Sequence, residues 1–523
     1  MRTRTLVVTI VLSVLAPARA PAQNGSQFQD WRPPSSETGL KPKISCADLR
    51  SLTGYEFSVV TATVMAATAD APEYCRVSGH IMPEIRFEVS LPASWNRRLY
   101  MFGNGGFAGE PIDSGRWRHG VANRNRALRH GFAVAATNTG HDSDAEPFAS
   151  FATNRQKVID YAFRAVHTTI ETAKKLVHAY YGEPQSRAYF DGCSTGGRQG
   201  LISAQRFPQD FDGILVGAPV LYFTGTMISY AWINRALNDA YITSAKLNTL
   251  AERIYAVCDE KDGLKDGLID DPRRCDFRPA RDLTKCPDDK EGAACFTTHD
   301  VAALEKIYAD VPSQGNSIHP GLLLGAEIAV GGSSGWNPWL VRDNDRPVSV
   351  LFGESFFRYM AFSETDRNYD LTRFDFDKDP ARMSWIRQVL DATDPDVSRF
   401  QAHGGKMVMY YGWADPALNA RVAVDYYEKA SDRIGRATKD FFRLFMVPGM
   451  FHCDGGVGVA TFDAMTPLMN WVEKGVAPER IVGARIVQNK TVRTRPLCPY
   501  PQVAKYQGSG SMDDAANFAC RQP

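Results

Sequence analysis

The chain has 523 residues, of which 44% are hydrophobic and 23% charged, so it can bury a large core and is neither a disordered nor a fibrous polymer. Its 60 Lys and Arg residues balance 59 Asp and Glu residues, which excludes the strongly basic surface typical of nucleic-acid-binding proteins. The length predicts more than one domain, or one domain with a large insertion.

The first 22 residues are typical of a secretory signal peptide. Arg2 and Arg4 precede an apolar run over 6–15, and Ala20-Pro21-Ala22 provides the small-x-small pattern of a cleavage site. The run is too short for a membrane span of roughly 20 residues, although an uncleaved anchor is the alternative. We therefore expect a secreted or periplasmic protein with no membrane partner. Its 10 cysteines would lie in an oxidising compartment, where five disulfides are plausible.

Strand-like apolar runs alternate with helical runs in two regions, which predicts an α/β fold with a mainly parallel sheet. In the first region the helical run covers 155–181, and in the second it covers 463–474. The predicted strands are 99–102, 132–136, 188–190 and 213–216 in the first region, and 407–411 and 444–447 in the second.

The segment between these regions, 222–396, differs in composition. It is rich in Asp, Gly, Pro and aromatic residues, and it has no alternation of strands and helices. We interpret it as a lid domain inserted into a catalytic domain that comprises 23–221 and 397–523. We find no internal repeat and no low-complexity segment in the sequence.

The motif Gly-x-Ser-x-Gly occurs twice, around Ser194 and around Ser333. Ser194 follows a predicted strand and precedes a helical run that starts at Arg198, which is the context that a nucleophile elbow requires. Ser333 lies in a glycine-rich loop with no strand before it. Ser194 is therefore the predicted nucleophile, and Ser333 is interpreted as a turn residue.

A serine nucleophile needs a base and an orienting carboxylate, which in α/β-hydrolases follow it in the order Asp or Glu, then His, on loops after late strands. Asp415 follows the strand 407–411 and His452 follows the strand 444–447, so they are the predicted acid and base. The other histidines are interpreted as surface or core residues. Among them, His403 precedes its strand and would lie at the wrong end of the sheet.

Two cysteines are adjacent to the predicted catalytic residues. Cys193 directly precedes Ser194, and Cys453 directly follows His452. Contact between the serine and the histidine would bring these cysteines close enough for a disulfide that ties the elbow to the histidine loop. Two unrelated buried thiols are the alternative.

A glycine-rich loop follows the predicted strand 99–102. In α/β-hydrolases one oxyanion-hole N–H comes from the residue after the nucleophile and another from such a loop. Thr195 and Gly106 are the predicted donors, and an ordinary tight turn at Gly106 is the alternative.

An acidic loop at 258–270 combines closely spaced carboxylates with two glycines that permit sharp turns. Such a density of hard oxygen donors suits Ca²⁺, although the spacing does not fit an EF-hand. A solvated charged turn is the alternative, and Cys258 and Cys275 flank the loop and could close it. The predicted ligands are the side chains of Asp259, Asp262 and Asp266 and the backbone carbonyls of Leu264 and Leu268.

Together these motifs resemble the tannase and feruloyl esterase family, which also contains bacterial mono(2-hydroxyethyl) terephthalate hydrolases. The resemblance rests on the sequences at 192–198, 412–415 and 447–453, and it extends to the acidic loop and to the tail at 495–501. It implies an α/β-hydrolase fold, a triad of Ser194, Asp415 and His452, and a structural calcium at the loop. No organic cofactor is expected. The implied disulfides are Cys46–Cys75, Cys193–Cys453, Cys258–Cys275, Cys286–Cys295 and Cys498–Cys520.

Substrate choice in such a family is expected to lie in the lid, where aromatic residues suit stacking on a planar acyl group. The candidates are Trp336, Trp339, Phe352, Phe356 and Phe357, of which Trp339, Phe352 and Phe356 are the predicted substrate-binding residues. The alternative is that these side chains form the core of the lid. Arg342 and Arg358 are candidates for gripping the free carboxylate of a terephthalate monoester, a substrate that ranks behind the plant phenolic esters because the resemblance assigns no arginine to this role.

The sequence therefore predicts a secreted serine esterase that cleaves esters of aromatic acids such as hydroxycinnamates or gallates. Its expected partner is a small aromatic ester. One alternative is a mono(2-hydroxyethyl) terephthalate hydrolase that uses the same triad. Another is a catalytically silent hydrolase fold that serves as a calcium-dependent binding module. A lipase is disfavoured because the insertion has no amphipathic interfacial helix.

Overall fold

The computed structural model describes residues 30–34, 39–112, 118–327, 330 and 335–523. The predicted signal peptide and Ser333 lie outside these residues. In the described part of the chain, no helix is long and apolar enough to cross a membrane.

Fifteen β-strands are present in the described residues. They are β1 (Phe57–Met65), β2 (Tyr74–Ile81), β3 (Ile85–Pro92), β4 (Arg98–Phe102), β5 (Ala133–Thr137), β6 (Arg187–Cys193), β7 (Gly213–Gly217), β8 (Val311–Ser313), β9 (Asn316–His319), β10 (Lys406–Gly412), β11 (Phe442–Val447), β12 (Ile481–Val487), β13 (Lys490–Leu497), β14 (Val503–Tyr506) and β15 (Phe518–Arg521).

The same residues form fifteen α-helices. They are α1 (Arg118–Arg129), α2 (Arg155–Ile159), α3 (Ala165–Tyr181), α4 (Thr195–Arg206), α5 (Phe223–Asn238), α6 (Ser244–Cys258), α7 (Pro279–Asp282), α8 (Thr298–Tyr308), α9 (Trp336–Trp339), α10 (Val348–Tyr359), α11 (Asp379–Arg382), α12 (Ser384–Leu390), α13 (Ser398–Ala402), α14 (Ala420–Ile434) and α15 (Met465–Lys474).

A nine-stranded sheet with the order β1-β2-β3-β5-β4-β6-β7-β10-β11 organises the fold. The pairs from β5 through β4, β6, β7 and β10 to β11 are parallel, whereas β1, β2 and β3 form an antiparallel meander that joins β5. The six predicted strands correspond to β4, β5, β6, β7, β10 and β11. The predicted α/β fold with a mainly parallel sheet is therefore confirmed.

Both faces of the sheet are covered, so its central strands are largely apolar. Because successive side chains point to opposite faces, alternate residues of β4 enter two different cores. Leu99 and Met101 belong to a cluster that includes Leu201 of α4. Tyr100 and Phe102 belong to a second cluster, with residues of α1 and α15. Helix α4, which follows the predicted nucleophile, is thereby held against the sheet.

The helical run predicted over 155–181 is present, but a π-helical turn interrupts it at Asp160–Arg164. The extra residue in such a turn shifts the side-chain positions that follow and is frequent at functional sites. Here the turn contains Tyr161, whose hydroxyl reaches the glycine-rich loop.

The described residues of 222–396 add no strand to the main sheet. They form helices α5 to α12 and the small hairpin β8–β9. Many of their apolar side chains form a hydrophobic cluster separate from the two clusters that flank the sheet. That cluster also contains Ala414 and Phe451, which neighbour the predicted acid and base. The division into a catalytic domain and a lid stays a prediction.

Candidate active site

Ser194 occupies a sharp turn between β6, which ends at Cys193, and α4, which begins at Thr195. Its φ of 61° and ψ of −120° lie outside the regions that non-glycine residues ordinarily adopt. Such backbone strain persists only where the surrounding structure imposes it, and it is frequent at active sites. The turn has the geometry of a nucleophile elbow.

The flanking glycines explain how the elbow can be so tight. A Cβ atom on Gly192 would lie 2.6 Å from the carbonyl carbon of Gly196, and one on Gly103 would lie 2.6 Å from the Cα of Gly196. Glycine is therefore required on both sides of the contact. The contact places the glycine-rich loop after β4 directly against the start of α4.

Gly106 lies in this loop with a φ of 49°. Its carbonyl accepts a hydrogen bond from the Tyr161 hydroxyl at 2.9 Å and another from the Thr195 hydroxyl. Within the described chain, its own N–H has no hydrogen-bond partner. The N–H of Thr195 stands in the first turn of α4, where no intrahelical acceptor exists. Two backbone donors are thus held beside the elbow.

Asp415 and His452, which follow β10 and β11, are joined by a 2.8 Å hydrogen bond between the His452 Nδ1 and the Asp415 Oδ2. The other carboxylate oxygen accepts the N–H groups of Ala417 and Leu418, each at 2.9 Å. The Asp415 side chain is fully buried, whereas the His452 side chain retains 13% exposure. The imidazole is therefore oriented by a fixed carboxylate and leaves its Nε2 for another partner.

A disulfide between Cys193 and Cys453 spans 260 residues of sequence and connects the neighbours of Ser194 and His452, with a Cα–Cα distance of 6.0 Å. The Ser194 hydroxyl and the His452 ring, both described, form no direct hydrogen bond in this structure. Catalytic hydrogen bonds are often long before substrate binds, and the disulfide holds the serine turn and the histidine loop together.

All 10 cysteines of the sequence are paired. The five pairs are those that the resemblance implied: Cys46–Cys75, Cys193–Cys453, Cys258–Cys275, Cys286–Cys295 and Cys498–Cys520.

Two of the three predicted substrate-binding residues reach the site. The Trp339 ring lies edge-to-face with the His452 ring at 5.5 Å, and the Phe352 ring would touch a Cβ atom on Gly106 at 3.3 Å. The rings of Phe107 and Phe148 also pack against the Phe352 ring, with centroid distances of 4.9 and 5.4 Å. Neither residue was predicted from the sequence to bind substrate. Phe107 directly follows Gly106 of the glycine-rich loop, and this position in the sequence could have indicated its place near the site.

Phe356 lies deeper than its predicted role requires. It is fully buried and packs on Phe223 and Phe357, because α10 turns this face toward the core. Phe357 and Trp336 are fully buried too. Of these three side chains, Phe356 reaches the rings around Phe352 only through Phe223, which contacts Phe107.

The two arginines considered for a terephthalate carboxylate both have acidic partners within the same segment. Arg342 pairs with Asp345 at 3.0 Å, and Arg358 pairs with Glu354 at 2.6 Å. Any substrate carboxylate would have to compete with these partners.

The acidic loop carries several carboxylates within one short segment. Burial raises the pKa of Asp262, and the charge of Asp266 raises it further. Asp259 accepts the N–H groups of Asp266 and Gly267, and one oxygen of Asp266 is bound by Arg495 at 2.7 Å. Among the described residues, the three aspartates do not gather their oxygens within 4.8 Å of one another. Carboxylate oxygens suit Ca²⁺ in their chemistry, and the ligand assignment stays a prediction.

Comparisons with known proteins agree with one another. A family model described as tannase and feruloyl esterase matches residues 67–521. An uncharacterized esterase of Xanthomonas campestris is 37% identical over 92% of this chain and 92% of its own length. A mono(2-hydroxyethyl) terephthalate hydrolase of Piscinibacter sakaiensis is 33% identical over 88% of this chain and 87% of its own length.

One solved structure extends this agreement to the fold. The crystal structure of feruloyl esterase B from Aspergillus oryzae matches with a TM-score of 0.78 and 26% identity, and the match covers 91% of this chain and 100% of that chain. This similarity confirms the predicted α/β-hydrolase fold.

Proposed function

This chain belongs to the tannase and feruloyl esterase family and is a carboxylic ester hydrolase, and on that premise we propose that it is an exported serine esterase that cleaves esters of aromatic acids. The hydroxycinnamoyl and galloyl groups are the proposed acyl groups. The observation that carries the proposal is the oriented imidazole of His452, tied by a disulfide to the strained turn at Ser194. Five disulfides support export to an oxidising compartment.

In the proposed mechanism Ser194 attacks the ester carbonyl carbon while His452 takes the hydroxyl proton. Asp415 holds the imidazole in the tautomer with a proton on Nδ1 and stabilises the imidazolium that forms. His452 then passes the proton to the departing alcohol oxygen, which leaves an acyl-enzyme. Water, activated by the same histidine, releases the aromatic acid and restores the serine.

The negative charge that develops on the carbonyl oxygen needs donors that are already in position. The N–H groups of Gly106 and Thr195 are the proposed pair. Hydrogen bonds from the Tyr161 and Thr195 hydroxyls to the Gly106 carbonyl support this assignment, because they fix the loop before substrate binds.

The aromatic acyl group is proposed to bind beside Gly106, against the neighbouring rings of Trp339 and Phe352. Offset and edge-to-face contacts suit a planar ring there.

A separate proposed site is the acidic loop. The side chains of Asp259, Asp262 and Asp266, with the carbonyls of Leu264 and Leu268, would hold Ca²⁺. The bound ion would neutralise the crowded carboxylates and fix their loop.

The decisive experiment compares methyl ferulate, methyl gallate and mono(2-hydroxyethyl) terephthalate as substrates of the wild type, of Ser194→Ala and of Ser398→Ala, a control at an exposed serine. We expect turnover of at least one methyl ester, its loss in Ser194→Ala, and no change in Ser398→Ala. If the folded wild type turned over none of the three, and its serine did not react with an organophosphonate probe, the silent binding module would be the better description.

Terephthalate monoester hydrolysis is the second candidate, favoured by the 33% identity to the Piscinibacter sakaiensis enzyme. Against it, Arg342 and Arg358 already pair with Asp345 and Glu354, with which a substrate carboxylate would have to compete. We expect kcat/KM for methyl ferulate to exceed that for the terephthalate monoester. The reverse ranking would favour the second candidate.

A further inference from the structure

Hydrogen bonds, rather than packing, hold the glycine-rich loop at the position before Gly106. Gly105 is exposed, and a Cβ atom built on it would meet only one atom of the described residues, a carboxylate oxygen of Glu110 at 3.6 Å. Because glycine restricts its backbone little, the peptide units on both sides of Gly105 could rotate if nothing bound them. The direction of the Gly106 N–H, which the proposed mechanism uses, therefore depends on the groups that bind these peptide units.

Glu110 binds the loop with both oxygens of its carboxylate. One oxygen accepts the Gly105 N–H at 2.7 Å, and the other accepts the side-chain amide of Asn104 at 2.8 Å. Hydrogen bonds to an ionised group are among the stronger ones in proteins. A carboxylate suits this place because it accepts at both oxygens, whereas a carboxamide would present a donor to one of the two partners. Glu110 lies in the wall of a cavity of about 480 Å³ beside Ser194.

Asn104 extends this network to helix α4. Its side-chain amide also donates to the Thr137 carbonyl at the end of β5, at 2.9 Å, and its backbone N–H donates to the Gln199 side chain at 3.0 Å. The Gln199 amide donates back to the Asn104 side chain at 3.2 Å. Both side chains are buried. Because Gln199 lies one helical turn after Thr195, the network connects the loop of one proposed oxyanion donor to the helix of the other.

The contacts of the loop leave the Gly106 N–H available. The three N–H groups before it, at 103–105, each have an acceptor: the Asp191 carbonyl, the Gln199 side chain and the Glu110 carboxylate. The Gly106 N–H belongs to the peptide unit whose carbonyl, that of Gly105, accepts the Ala108 N–H at 2.8 Å. Since a peptide unit is planar, a fixed carbonyl also fixes the direction of the N–H.

We propose that Glu110 is a positioning residue of the oxyanion hole, whose carboxylate holds the segment from Asn104 to Gly105 so that the Gly106 N–H points at the developing charge before substrate binds. In this role Glu110 neither touches the ester nor transfers a proton. The inference rests on the proposed serine mechanism, which it deepens by naming the group that sets the geometry of one donor. A misplaced donor weakens binding of the transition state more than binding of the substrate.

The first test measures hydrolysis of 4-nitrophenyl acetate, whose small acyl group makes the result independent of the aromatic residues. Glu110→Gln keeps the size of the side chain but loses one of its two acceptors. We expect kcat to fall by about tenfold in Glu110→Gln and by about a hundredfold in Glu110→Ala, which approaches the cost of removing an oxyanion donor. We expect KM to change by less than about twofold, because the same N–H serves formation and hydrolysis of the acyl-enzyme.

Glu146→Gln is the matched control. Glu146 is also partly buried, and its carboxylate binds Lys157 at 2.7 Å but forms no hydrogen bond to the glycine-rich loop within the described chain. We expect this variant to keep the wild-type kcat. In every variant kcat is expressed per serine that an organophosphonate titrates, so that a loss of folded protein does not count as a loss of rate.

A tetrahedral inhibitor separates positioning of the donor from other effects on the site. Phenylboronic acid bonds to the Ser194 oxygen, with the serine proton passing to His452, and forms an anionic tetrahedral adduct that resembles the transition state. We expect its inhibition constant to rise in each Glu110 variant by the factor by which kcat falls, and to stay unchanged in Glu146→Gln.

Several results would overturn the inference while leaving the serine mechanism intact. They are a wild-type kcat per titrated serine in Glu110→Ala, an unchanged inhibition constant in a variant whose kcat falls, and an equal fall of kcat in Glu146→Gln. Failure of the mechanism itself is separately visible, because hydrolysis of 4-nitrophenyl acetate would then survive Ser194→Ala. That result would overturn the inference as well.

Discussion

Glu327 shows how a single carboxyl group can make stability depend on pH. Its side chain is fully buried and accepts the Gly325 N–H at 2.7 Å and the Tyr308 hydroxyl at 3.0 Å. Burial raises its pKa from 4.5 to about 7. The folded protein therefore favours the protonated form over the ionised form more strongly than the unfolded chain does. The stability that this preference contributes is fully present below pH 4.5 and is lost as the pH rises through about 7.

Glu327→Gln keeps a neutral group of the same shape, with a carbonyl for Gly325 and an amide for Tyr308. We expect the variant to be as stable as the wild type near pH 4.5 and more stable at pH 8, by on the order of 2 to 3 kcal/mol. Urea unfolding of both proteins across this pH range measures the difference, with the exposed Glu364→Gln as control. A difference that stayed constant with pH would contradict the assignment.

At the scale of elements, the disulfide between Cys193 and Cys453 connects two turns that each carry a predicted catalytic residue. Replacing both cysteines by serine leaves β6 and β11 in the sheet but frees the histidine loop. We expect a loss of roughly 2–5 kcal/mol in stability and a fall in kcat, because the Ser194–His452 distance is no longer constrained.

The double variant Cys498→Ser and Cys520→Ser provides the control, since that disulfide joins the tail near β13 to β15. It should lower the unfolding temperature with a much smaller effect on kcat. Equal losses of kcat in both double variants would mean that the first disulfide acts only through global stability.

The alternation of strands and helices made the parallel part of the sheet predictable, because β4, β6, β7 and β10 are apolar runs with helices between them. The meander β1–β3 gave no such pattern. Its edge strand β1 is largely exposed and β3 is almost wholly buried, so neither resembles a strand of a strand-helix unit. The helices of 222–396 were missed for a related reason, since loops rich in Asp and Pro interrupt them.

The predicted catalytic residues were accessible from sequence because each follows a strand within a short motif. The cavity beside Ser194 was not accessible in that way, because its wall combines Trp31, Arg126, Asp191 and Asp463 from separate parts of the chain. Phe356 was assigned to the pocket since sequence alone does not distinguish the two faces of α10.

On the scale of the whole molecule, the acidic loop and Arg273, which follows it, together contact both loops that carry predicted catalytic residues. Leu268 would lie 3.0 Å from a Cβ atom on Gly449, in the turn that leads to His452. Arg273, just beyond the loop, stacks on Trp413 at 4.7 Å, two residues before Asp415. The loop and Arg273 therefore support the base and the acid together.

If the loop binds Ca²⁺, removing the ion should loosen both supports. We expect a chelator to lower the unfolding temperature and the esterase activity of the wild type, and added Ca²⁺ to restore both. At a hundredfold excess over its Kd, a ligand stabilises the folded state by about 2.7 kcal/mol. Differential scanning fluorimetry with and without Ca²⁺ measures this effect directly.

Asp262→Asn should respond to neither the chelator nor added Ca²⁺, whereas Asp288→Asn, at an exposed site outside the loop, should behave as the wild type. A wild type whose unfolding temperature ignores both reagents would favour the solvated charged turn.

The separation of Cys193 from Cys453 also affects how the protein is made. At a synthesis rate of about 5–20 residues per second, Cys453 appears roughly 13–52 s after Cys193. During that interval Cys258 and Cys286 emerge, and their own partners follow after only 17 and 9 residues, respectively. In a chain that enters an oxidising compartment N-terminus first, Cys193 must wait as a free thiol while these cysteines compete for it. Recovery of active enzyme should therefore depend on disulfide isomerisation during expression.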